Sequence, residues 1–194
     1  MARVATEQGK PPGAFDAARL AVEVYDYVIE RLRAYYVEGT AAITVSVEAF
    51  DAVLATRPAS ALDFDARLRA LVQFLQLPDA TSLAAANKRI ANILRKVSEP
   101  IGTTVDDAQL IDPAEQVLAE QVVAIARDVE PMLAARDYTP ALQELAALRK
   151  AVDDFFDCVM VNADDPALRA NRLALLNRMR GLFLRVADLS RLPG

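Results

Sequence analysis

The 194-residue chain contains no histidine, and that absence excludes more chemistry than any residue present suggests. Ser-His-Asp and Cys-His catalysis both need an imidazole, as do nearly all zinc and di-iron sites of helical bundles. Cysteine is almost as scarce. Cys158 stands alone, so neither an internal disulfide nor a cysteine metal cluster can form, which fits a reducing compartment. A solitary thiol of this kind is expected as a small buried hydrophobe. The six glycines, at positions 9, 13, 39, 102, 181 and 194, make neither a P-loop nor a dinucleotide fingerprint, so nucleotide binding has no support. No stretch approaches the roughly 18–20 apolar residues of a membrane span. The N-terminus, MARVATEQGKPPGAF, lacks the apolar run of a secretory signal. A cytoplasmic chain with no membrane association is expected.

What is present is an ordinary globular composition, 54% hydrophobic and 25% charged, enough for one domain or two small ones with a real core. The formal net charge is −5. A chain of that balance does not adhere to polyanions indiscriminately, so any nucleic-acid site must be a local patch.

Residues 1–13 carry Gly9, Pro11, Pro12 and Gly13 without an apolar period and read as a flexible leader. From residue 14 the pattern is helical: Phe15, Val22, Tyr25, Ile29, Leu32 and Tyr36 recur at helical steps until Gly39. Ser46 caps a short helix, and Ser60 with Asp63 makes a capping-box-like start for the next. A fourth helix is expected over about residues 81–97. Residues 98–111, with Pro100 and Gly102, form the longest linker and a candidate hinge between helical halves at 14–97 and 112–192. Asp112-Pro113-Ala114-Glu115 supplies an N-cap, a proline at the first helical position and a glutamate at the third. Pro131 is expected to kink that helix. Thr139-Pro140 repeats the cap-plus-proline signal before one helix carrying Leu142 through Val159, and Asp164 or Asp165 before Pro166 opens the last. The strand-like stretch 42–47 is short and unpartnered. The expected fold is all-α, a bundle of about seven helices.

Two segments set basic and amide side chains among aliphatic residues at helical spacing. In the first, Lys88, Arg89, Arg95 and Lys96 accompany Asn87 and Asn92, and positions 88, 92, 95 and 96 share a face. Such a face can track phosphates while amides read base edges. The plainer alternative is a solvated face with cations near the C-terminal helix dipole. In the second, Arg169, Arg172, Arg178, Arg180 and Arg185 are interleaved with Asn171 and Asn177. Pairing of these arginines with Asp153, Asp154, Asp157, Asp164 and Asp165 fits that pattern slightly better than a second basic face. Asp153 and Asp157 are co-facial, yet no motif beside them would position a substrate, so neither catalytic nor metal-binding residues are assigned. Phe155 and Phe156 read as core, and Tyr35 and Tyr36 as half-buried packing.

The stretches RLRAYYVEG (31–39), FDARLRALVQFLQLPDATSLAAANKRIANILRK (64–96) and the run 135–190, which includes FFDCVMV and LRANRLALLNRMRGLFLRVADLS, closely resemble the C-terminal part of bacterial glycyl-tRNA synthetase beta subunits. The resemblance implies an all-helical anticodon-binding domain of the DALR type, lacking the larger N-terminal portion of the subunit and catalytically inert by itself. It implies tRNA-Gly anticodon recognition in support of a ligase whose alpha subunit activates glycine with ATP and magnesium, with no cofactor in this portion. The RNA-contacting residues expected on the two basic segments are Lys88, Arg89, Asn92, Arg95, Lys96, Arg169, Asn171 and Arg172. Asn87, Asn171 and Arg172 have an alternative role holding helices together, because an amide or guanidinium between packed helices needs satisfied partners. The competing function class is a helical interaction module that docks on the alpha subunit through an apolar groove.

Overall fold

The computed structural model describes residues 16–39, 41 and 43–193. The leader expected over 1–13 and the first helical positions at 14 and 15 lie outside those residues. Helix α1, Ala17–Val37, is capped by Asp16, whose carboxylate accepts from the Arg19 amide, and stops at Gly39 with φ +85°. The expected hydroxyl caps are in place: Ser46 accepts from the Ala49 amide to open α2, Val47–Leu54, and Ser60 accepts from the Asp63 amide to open α3, Ala61–Phe74. Helix α4 is Ala80–Arg95. Asp112 and Glu115 close a reciprocal capping box over α5, Pro113–Ala134. That helix continues through Pro131 and ends a turn later. There the Arg136 and Asp137 amides bond back to the Leu133 and Met132 carbonyls, with Arg136 at φ 60° in the position that usually belongs to glycine.

One expectation changes in the next segment. The single helix anticipated after Thr139-Pro140 is two, α6 at Tyr138–Ala146 and α7 at Leu148–Cys158, because at Ala147 the amide makes the tighter bond to Glu144 that interrupts the α-helical ladder. Its start is two residues earlier than the cap-plus-proline signal implies, with Asp137 at the N-cap position and no side-chain cap. A tertiary contact sets it: the buried Tyr138 hydroxyl donates to Asp63 at 2.6 Å. Asp165, not Asp164, caps α8, Pro166–Leu184. Short 3-10 turns stand at Asp107–Gln109 and Leu189–Arg191. The described residues thus hold eight α-helices and no strand, residues 43–46 being irregular.

Cys158 is exposed, contrary to the expectation of a buried thiol. The inward stripe of α7, Leu148, Val152 and Phe155, passes instead to Val159, which leaves the helix in an extended conformation and is buried.

Helix α3 packs on α6, α5 on α6 and α7, and α4 on α7 and α8, around one cluster that includes Phe50, Phe64, Phe74, Phe155 and Phe183. Residues from both sides of the 98–111 segment share this core. The turn after α8 returns to α2, where the Asp188 amide donates to the Ala52 carbonyl at 2.8 Å. Polar fasteners cross the packing. Asp63 accepts from Arg67 at 3.0 Å, and Arg67 in turn donates to the Arg185 carbonyl while lying 4.8 Å over the Tyr138 ring. Helix α1 is the least covered: Ile29 and Tyr36 are buried, whereas Leu20, Val24 and Tyr27 are exposed.

Tyr36 ties α1 to α3 by donating to Asp65. Burial, and then that hydrogen bond, push its phenol from 10.0 up to about 12. The folded chain therefore keeps a proton that the unfolded chain releases in this interval, so the Tyr36 contribution is complete below pH 10 and vanishes as pH rises towards 12. Tyr36→Phe is expected to show a shallower stability loss across that interval. The difference, on the order of 1–3 kcal/mol, is measurable by urea denaturation at several pH values.

Candidate nucleic-acid interface

Helix α4 is amphipathic by position. Leu83, Ala84, Ala86 and Ile90 are buried against the bundle, which turns Lys88, Arg89, Asn92, Arg95 and Lys96 to solvent. Asn87, on the inner side, is 1% exposed and donates to the Leu83 carbonyl at 3.0 Å. Lys88, Arg89, Asn92 and Lys96 line one shallow depression with Ala85 and Ile93. The Arg89 guanidinium sits 3.9 Å from the centre of the Phe156 ring, which orients it without neutralising it. Arg95 donates to the Asn92 side chain at 2.8 Å.

The cations of this face have no ion-pair partner among the described residues, although Glu99 and Asp188 line adjoining depressions. Among the described residues, the cations without a carboxylate in salt-bridge range are Arg31, Lys88, Arg89, Arg95, Lys96, Arg136, Arg169 and Arg178. Four of these lie on or just after α4. A fifth, Arg169 on the first turns of α8, is exposed and lines a groove with Lys96. That groove, of about 590 Å³, runs between the end of α4, residues 98–102 and the start of α8, with Ile93, Val97 and Leu173 among its apolar lining.

Asn171 and Arg172, expected among the RNA contacts, are placed in the interior. Asn171 is 6% exposed, accepts from the Asp106 amide at 2.8 Å and donates to the Asp106 carbonyl at 3.0 Å. Arg172 donates through Nε to the fully buried Glu115 and through Nη1 to the Met160 carbonyl at 2.8 Å. Their polar groups are spent within the chain, which is the fastening role open to both from their residue types. The reason is the position of α8: residues 171–176 are buried without a break, so this helix is covered on more than one side. The consecutive Leu173-Ala174-Leu175-Leu176 was the signal of such burial.

The arginines of α8 also pair with other carboxylates than those expected: Arg172 with Glu115, Arg180 with Asp188 and Arg185 with Glu130. Asp153 is held by Arg149 at 3.1 Å and by Ser82, and Asp154 by Lys150. Among the described residues no group of three metal-ligating side chains is gathered. Phe155 is buried and Phe156 half-buried, while Tyr35 is 46% exposed beside the buried Tyr36. No described helix is long and apolar enough to cross a membrane.

Sequence comparison places this helical bundle in a known class. Residues 83–187 match the model of the DALR anticodon binding domain. The matched span takes in most of α4, the groove and all of α8, and the chain belongs to this family. It is similar, more particularly, to proteins named glycine–tRNA ligase beta subunit. Identity is 51% over 168 residues with that of Haemophilus influenzae strain 86-028NP, covering 87% of this chain and 23% of the relative. It is 53% over 174 residues with that of Marinobacter nauticus, covering 89% and 24%. With that of Pseudomonas aeruginosa strain LESB58 it is 50% over 174 residues, covering 90% and 25%. The chain therefore spans about a quarter of the length of these curated relatives.

The contrast between interior and surface cations is directly testable. Arg172→Ala leaves the Glu115 carboxylate buried and unpaired and is expected to cost about 3–5 kcal/mol, whereas Lys96→Ala at the exposed face is expected to stay within about 0.5 kcal/mol of the parent. Urea denaturation of the two variants provides the measurement.

Proposed function

We propose that this chain grips the anticodon stem-loop of tRNA-Gly as the C-terminal part of a glycine–tRNA ligase beta subunit. The observation that carries the reading is the set of unpaired, exposed cations gathered on α4 and at the start of α8 in a chain of net charge −5. Repulsion from distant carboxylates is screened beyond about 8 Å at physiological salt, so this local patch governs the approach of phosphate. Lys88, Arg89, Arg95, Lys96 and Arg169 neutralise backbone charge, and the exposed Asn92 amide is placed among them to reach a base edge. Asn171 and Arg172 support the surface from within.

The activity itself belongs to the larger assembly. Glycine activation with ATP and magnesium is assigned to the alpha subunit, and this portion contributes selection of the tRNA. Assembly with the alpha subunit, the competing interaction-module reading, draws its support from the exposed Leu20, Val24 and Tyr27 of α1. These lie on a different helix from the cations, so the two roles do not compete for one surface.

The test is a fluorescence titration with a glycine anticodon stem-loop across a salt series, beside a loop in which the two cytosines common to the anticodons of tRNA-Gly are replaced. The parent chain is expected to prefer the cytosine loop. Combined alanine substitution of Lys88, Arg89, Lys96 and Arg169 is expected to weaken binding to both and to flatten the log–log salt slope by roughly 0.7–0.9 per lost phosphate contact. Unchanged affinity and slope in that variant would remove the patch from the binding surface.

A further inference from the structure

The groove beside the basic face contains one group that phosphate binding does not explain. Glu99 lines it together with Lys96 and Arg169, and among the described residues no cation pairs with its carboxylate. A free carboxylate repels a phosphate backbone. It suits a base edge, since a carboxylate only accepts hydrogen bonds and complements an exocyclic amine such as cytosine N4. Asn162, also on the groove wall and exposed, offers an amide with both donor and acceptor. The same groove is also lined by Ile93, Val97 and Leu173, apolar side chains suited to the face of an unstacked base.

The walls are held in place by the side chains of α8. Asn177 donates to the Ile101 carbonyl at 3.1 Å and to the Gly102 carbonyl at 3.2 Å, while Asn171 clamps the Asp106 backbone in both directions. On the opposite side Arg172 holds the Met160 carbonyl, two residues from Asn162. The groove is therefore organised before any ligand arrives, which lowers the ordering cost of binding.

Resting on the RNA-binding reading above, we propose that this groove takes one unstacked nucleobase carrying an exocyclic amine. Glu99 accepts from the amine, Asn162 completes the edge contact, and Lys96 and Arg169 hold the flanking phosphates. Uracil, which places a carbonyl oxygen where cytosine has its amine, meets the carboxylate as acceptor against acceptor and is rejected.

The experiment measures anisotropy of labelled short oligocytidylate and oligouridylate with the 194-residue chain. The parent is expected to favour cytidine by about 5- to 100-fold, the range of a good edge contact. Glu99→Gln replaces one acceptor oxygen with a donor, so it is expected to bring the two affinities together, chiefly by strengthening uridine binding. Asn162→Ala is expected to weaken cytidine binding selectively. Lys96→Ala with Arg169→Ala is expected to weaken both oligomers alike. If the double variant weakens both while Glu99→Gln leaves the cytidine preference intact, the basic surface stands and the base groove falls. A parent that binds the two oligomers equally also overturns the groove assignment, and one that binds neither at low salt overturns both readings.

Discussion

The Glu115 carboxylate holds together the part of the molecule on which the candidate site is built. It is fully buried, and its two oxygens are divided between two helices. One accepts from the Asp112 amide and closes the N-terminus of α5, and the other accepts from Arg172 in the middle of α8. Arg172 extends the connection to the Met160 carbonyl between α7 and α8. A buried charge pair is not in itself evidence of net stabilisation, because desolvation opposes the Coulombic gain. What it supplies here is position: few arrangements of α5, α8 and the 159–163 turn satisfy every donor and acceptor of this pair at once.

Among the described residues, two groups of cations bear on the candidate site. Arg67, Arg172, Arg180 and Arg185 are drawn into carboxylates, carbonyls and rings of the packing. Lys88, Arg89, Arg95, Lys96 and Arg169 remain on the surface without acidic partners. The groove between the two segments is braced from α8, since Asn177 reaches the Ile101 and Gly102 carbonyls of its wall, while Asn171 and Arg172 hold the Asp106 and Met160 backbone a few residues beyond it. Interior polar residues of α8 thus shape a surface that α4 and residues 98–102 present.

The span matched by the DALR family model begins within α4 and ends just after α8. Helices α1 to α3 precede it, yet Phe50, Phe64 and Phe74 belong to the same core as Phe155 and Phe183. The α3–α6 contact, sealed by Asp63, Arg67 and Tyr138, joins this leading part to the matched part. The similarity to glycine–tRNA ligase beta subunits likewise extends over more of the chain than the family model does.

Local chemistry was readable directly from residue order. Caps at Ser46, Ser60, Asp112 and Asp165 depend on bonds across three residues or fewer, and the buried faces of α3 and α4 follow from the helical period, so neighbours along the chain determine them. The exposed cations of α4 were legible for the same reason: its apolar positions occupy one side only. The break at Ala147 and the exposure of Cys158 were not signalled by the helical period, and the interior fate of Asn171 and Arg172 depends on partners far along the chain, Asp106 and Glu115. Sequence spacing places Arg172 on a basic helix, but only the approach of α5 brings it Glu115, 57 positions away. Periodicity therefore determined most of the helices and the basic and amide residues they carry, while packing decided which of those side chains reach solvent, since burial on a second side of a helix is set by its neighbours.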